Sequence, residues 1–81
     1  MDKLATRTIN ALEWVIDCAE GVTCSITQDL EKETLTIVNE FGQKTVMNCR
    51  FNSVGATIRQ ICKHINDKTL FSYDGGYKIG C

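Results

Sequence analysis

Three short runs of period-two alternation, crowded into residues 21–51, constrain this chain more than any other feature. Val22, Cys24 and Ile26 alternate with Thr23, Ser25 and Thr27, and Leu35 and Ile37 alternate with Thr34, Thr36 and Val38. In the third run Met47, Cys49 and Phe51 alternate with Val46, Asn48 and Arg50. A strand buried on one face repeats every two residues, so each run predicts a half-buried strand. The connectors are short. Residues 29–32 are mostly polar, and residues 40–44 carry Gly42 where a hairpin needs positive φ. Two tight connectors predict an antiparallel meander. Its expected inner face is Val22, Cys24, Ile26, Leu35, Ile37, Met47, Cys49 and Phe51, and its Thr- and Ser-rich outer face is open to water.

Helical periods flank the meander. From about residue 3 to residue 20, Ala5, Ile9, Leu12, Ile16 and Ala19 recur at steps of three and four, and Gly21 supplies the stop. On the other side of that helix Arg7, Ala11, Trp14 and Cys18 form a second, narrow stripe. After the strands, Asn52 and Ser53 offer an N-cap for a second helix from Val54 to residue 65 or 66, with Val54, Ile58, Ile61, Cys62 and Ile65 on one face. The last fourteen residues contain Asp74, Gly75 and Gly76 between strand-forming side chains, which predicts a short hairpin presenting Tyr73 and Tyr77. The expected fold is α+β, a single small domain in the order α-β-β-β-α plus a C-terminal β-hairpin. Both helices lie on one face of the antiparallel sheet. The expected core is Ile9, Leu12, Ile16, Val22, Ile26, Leu35, Ile37, Met47, Phe51, Ile58, Ile61 and Ile65.

Eighty-one residues bury a smaller fraction of their surface than a large domain does, so the core is marginal and dimerisation would support it. No run is long enough to span a bilayer, and the N-terminus does not read as a signal peptide, which places the protein in the cytoplasm. The five cysteines are odd in number and contain no Cys-x-x-Cys pair; the expectation is free thiols, no metal and no cofactor. Cys62 and His64 stand two apart, which on a helix points them in different directions. His64 reads as a boundary residue, and no nucleophile, carboxylate pair or phosphate loop accompanies it, so the chain is read as a non-enzyme.

The net charge of −1 is unevenly spread. Residues 1–40 carry three basic and eight acidic side chains, a net of −5, and residues 41–81 carry six basic and two acidic, a net of +4. The element order resembles that of the double-stranded-RNA-binding domain. That family grips phosphates with a lysine cluster at the start of its second helix; here the start is Ser53, Val54, Gly55, Ala56 and Thr57. No lysine stands there; the resemblance implies nucleic-acid binding as the alternative reading, for which Arg50, Arg59, Lys63 and Lys68 are the one patch of cations the sequence offers. The leading expectation is a protein-interaction module with Arg7, Ala11, Trp14, Cys18, Tyr73 and Tyr77 as partner-binding residues. It includes a homodimer through the first helix. By analogy of size and style alone, such a module suits an inhibitor encoded by a phage or mobile element that acts on a host defence or regulatory complex.

Overall fold

The computed structural model describes residues 1–71 and, as backbone, residues 77–79. The predicted α-β-β-β-α order is found: α1 spans Thr6–Glu20, β1 Cys24–Asp29, β2 Thr34–Asn39, β3 Lys44–Asn48 and α2 Val54–Asn66. A short β4, Tyr77–Ile79, follows, and the sheet runs β1-β2-β3-β4. The first three strands are antiparallel neighbours, with Ile26 opposite Ile37 and Leu35 opposite Met47. β4 lies parallel to β3, with Tyr77 opposite Thr45. The turn expected for the terminal hairpin falls at residues 72–76, outside the described residues.

Polar side chains shape both hairpin loops. Asn39 is only 6% exposed, yet its Oδ1 accepts from the Phe41 and Gln43 amides at 2.9 and 3.0 Å and its Nδ2 donates to Gln43 Oε1 at 2.8 Å. A buried amide satisfied in this way stabilises the turn that it closes. Gly42 sits at φ +82° in the same loop, a conformation that favours glycine. In the first loop Asp29 Oδ1 accepts from the amides of Glu31 and Lys32.

The core lies on one sheet face. Ile26, Leu35, Ile37, Met47 and Cys49 from the meander meet Leu12 and Ile16 of α1 and Ile61 of α2, with Ile9, Ile58 and Ile65 half-buried against them. Four expectations need correction. Cys62, at the margin of the apolar face of α2, is exposed instead of packed on the sheet. The first helix starts at Thr6, three residues later than its periodicity suggests, because Leu4 is fully buried outside the helix. The Gln28 side chain holds Leu4 by both of its backbone groups, donating to its carbonyl and accepting from its amide at 2.9 Å each. Val22 precedes β1 and is only half-buried.

Phe51 is the largest departure. It was expected inside, and it is 89% exposed with φ +64°. β3 ends at Asn48, and Arg50 and Phe51 become the middle of a turn closed by the Asn52 amide on the Cys49 carbonyl at 2.9 Å. The cause lies two residues on. Ser53 caps α2, its Oγ accepting from the Ala56 amide at 3.2 Å, so the chain must reverse between Cys49 and Ser53. A strand continued to residue 51 would leave no length for that reversal. The core is completed instead by Leu4 and by Leu70.

Leu70 reaches the core through the end of α2. The Thr69 amide donates to the His64 carbonyl at 3.0 Å and the Lys68 amide to the Ile65 carbonyl at 3.2 Å, with Lys68 left-handed at φ +58°. That is the Schellman pattern, with lysine where glycine is usual.

Candidate functional site

The roll of α1 about its own axis decides which residues it offers to solvent. Leu12 and Ile16 pin one side into the core. Glu13, next to Leu12, reaches the free edge of β1, where its carboxylate accepts from the Ile26 amide at 2.7 Å. The Cys24 thiol also points back to the Glu13 carbonyl, at 3.7 Å. Trp14 lies roughly 200° from Leu12 at the helical turn of about 100° per residue, so these anchors turn it outward. Arg7, Ala11, Trp14 and Cys18 are all exposed, and the structure brings the four together as one face. Trp14 is 68% exposed and its neighbour Val15 38%. Burying a tryptophan that the monomer leaves in water is a large apolar gain, and tryptophan is enriched where interfaces concentrate their energy.

The terminal tyrosines are a different case. Tyr73 lies outside the described residues, and Tyr77 is described only through its backbone pairing in β4.

The four cations of the alternative reading are strung out from one end of α2 to the other. Arg50 sits in the turn before the helix, its guanidinium 5.4 Å from the Phe51 ring centroid in a cation–π stack. Arg59 and Lys63 are one turn apart on the exposed side of α2, and Lys63 Nζ pairs with Asp67 at 3.1 Å. Lys68 is exposed beyond the helix end.

Cys18, Cys24, Cys49 and Cys62 are free thiols. Cys18 and Cys62 are exposed. Burial, reinforced by the nearby carboxylates of Glu13 and Asp17, pushes the Cys24 thiol up to about 11, and burial also raises Cys49. These two thiols are poor nucleophiles near neutral pH. His64 Nδ1 lies 2.6 Å from Thr69 Oγ1; partial burial, helped by the Lys63 charge, lowers its pKa and favours the neutral ring. No cluster of three or more potential metal ligands occurs among the described residues. None of their helices is long and apolar enough to cross a membrane.

Four exposed apolar side chains escaped the sequence reading: Phe51, Phe41 at 72%, Leu30 at 46% and Val15, whose position suggests that it broadens the core stripe of α1. Phe41 and Leu30 sit in the hairpin loops. For Phe51 a signal existed, since the Ser53 cap left too few residues for strand and turn together. Its backbone is held by the Glu33 carboxylate, which accepts the Phe51 amide at 3.3 Å. The Met1 ammonium lies 2.8 Å from the same carboxylate, and these two contacts hold Glu33 below its ordinary pKa. Comparison with protein-family models, curated protein sequences and solved structures returns no match.

Proposed function

We infer that this protein is a non-catalytic, cytosolic interaction module that works by burying the exposed face of α1 against another protein surface. The observation that carries the reading is Trp14, two-thirds exposed on a helix whose other side is locked to the core and to the β1 edge. Ala11 and Cys18 beside it are small enough to let a second backbone approach, and Arg7 adds a planar hydrogen-bonding group at one end. Inhibition of a larger complex by steric occupation, the mode expected of a phage or mobile-element protein, is the form that the proposal takes.

Capture from a bacterial lysate on immobilised wild type and Trp14→Ala, followed by mass spectrometry, tests it. The expected result is one stoichiometric protein, captured by the wild type and lost or weakened roughly tenfold or more by the substitution. Equal capture by both overturns the role of the α1 face. Nuclease-sensitive recovery would instead favour the Arg50, Arg59, Lys63 and Lys68 reading.

A further inference from the structure

We propose that in the free protein the α1 face is covered by a second copy of this chain, paired antiparallel about a two-fold axis that passes between Leu12 and Glu13. The proposal rests on the reading of that face as a docking surface and names what docks there.

The stripe is palindromic in spacing. Arg7, Ala11, Trp14 and Cys18 are separated by steps of four, three and four, and their sizes alternate large, small, large, small. An antiparallel two-fold pair sets residue i opposite the residue whose number makes the sum 25. Ala11 then faces the second copy's Trp14, and Arg7 faces the second copy's Cys18. Every large side chain meets a small one, in both directions, which is the self-complementarity that an isologous interface needs. The parallel alternative puts Trp14 on Trp14 and Arg7 on Arg7, so like meets like and equal charges abut.

Charge points the same way. A lone helix favours acidic side chains near its N-terminus and basic ones near its C-terminus. α1 has no acidic residue in its first turn and no basic residue in its last. It carries Arg7 near its start and Asp17 and Glu20 near its end, against its own dipole. Antiparallel pairing brings the acidic, C-terminal end of one α1 beside the Arg7 of the other, with Asp17 one residue from the level of the facing arginine. All five side chains on which the arrangement draws, Arg7, Ala11, Trp14, Asp17 and Cys18, are exposed. The pairing therefore needs no rearrangement of the fold.

Light scattering and sedimentation across a concentration series test the proposal. The wild type should show twice the chain mass of 9.1 kDa at high concentration. Trp14→Ala, Arg7→Glu and Asp17→Arg should each weaken the dimer by roughly tenfold or more, and the double variant Arg7→Glu with Asp17→Arg should regain most of what the single changes lose. Circular dichroism of each variant separates dissociation from unfolding, and the charge-reversed double variant keeps the test decisive if Trp14→Ala proves unstable. A wild type that stays monomeric overturns the proposal, as does a dimer that none of the substitutions weakens. A monomer that still captures another protein through Trp14 sinks the two-fold pair and leaves the interaction reading standing. A monomer without Trp14-dependent capture sinks both.

Discussion

Glu13 is the side chain on which the seating of α1 turns, and replacing it gives a graded test. Its carboxylate is half-buried and accepts the Ile26 amide at 2.7 Å, on the side of β1 where no strand lies among the described residues. Hydrogen bonds to charged groups contribute about 1.5–3 kcal/mol, against about 0.5–1.5 kcal/mol for neutral ones. Glu13→Ala removes the acceptor and leaves the amide of a residue only 7% exposed to find water, so a loss of about 1.5–3 kcal/mol is expected. Glu13→Gln keeps an oxygen in place and should lose roughly 1 kcal/mol. In a domain of this size each kcal/mol moves the thermal midpoint by roughly 4–8 °C, so scanning calorimetry resolves the two variants. Hydrogen exchange reports the mechanism: protection of the Ile26 amide should collapse in Glu13→Ala and largely persist in Glu13→Gln. If Glu13→Ala melts with the wild type, or if the two variants fall equally, the bond does not seat the helix and the reasoning is refuted.

Leu35→Ala and Ile37→Ala empty fully buried positions in the central strand, and each should cost about 2–5 kcal/mol in urea unfolding; an unchanged midpoint would displace the core from this sheet face. Ala5 caps α1 with extended dihedrals but no side-chain bond, so Ala5→Asp should raise stability by about 0.5–2 kcal/mol in the same assay. Phe51 and Lys68 are left-handed without being glycine, and Phe51→Gly and Lys68→Gly should each stabilise by about 1 kcal/mol; a loss in either would show that the side chain holds more than its strain costs. In a Cys81→Ser background, at concentrations low enough to keep the chain monomeric, titration with a disulfide reagent at pH 8 should find Cys18 and Cys62 fast and Cys24 and Cys49 slow, and Cys18 should slow as the dimer forms. The Cys24 rate should climb as the pH approaches about 11, since a raised pKa means less thiolate below it.

The parts legible in the sequence were those that a single period determines. Ile26, Leu35, Ile37 and Met47 are inside because strict alternation leaves one way to bury them, and Leu12, Ile16 and Ile61 follow from helical spacing. Outward placement of the Arg7 to Cys18 stripe follows from the same spacing. Trouble arose where two local demands competed for the same residues. Leu4 fell inside the expected helix without belonging to its apolar stripe, and Gln28 holds it by both backbone groups ahead of α1. Phe51 continued a strand pattern, yet the cap at Ser53 needed its backbone for a turn. Thr45 and Thr57, both fully buried, illustrate a third limit: whether a threonine lies inside depends on partners distant in sequence. The Phe71 amide donates to Thr45 Oγ1 across twenty-six positions, and nothing local to Thr45 announces it.

The two helices differ in how far each supports itself, and that difference bears on the proposed role of α1. α2 has a Ser53 cap, Lys63 in its last turn and a Schellman closure, each favourable to a helix end. α1 has Ala5 at its cap, and its charges run against its dipole. Most of its stability therefore comes from tertiary contacts: Leu12 and Ile16 in the core, Glu13 on the β1 edge, and Leu4 anchored ahead of it. A binder that recognises the folded state adds stability in proportion to the logarithm of its occupancy ratio, and the increment matters most where intrinsic stability is lowest. A surface laid on the outer face of α1 supplies the cations, anions and apolar contact that this helix does not provide for itself. The residues that leave α1 poorly stabilised as a lone helix are thus the same ones on which the proposed pairing draws.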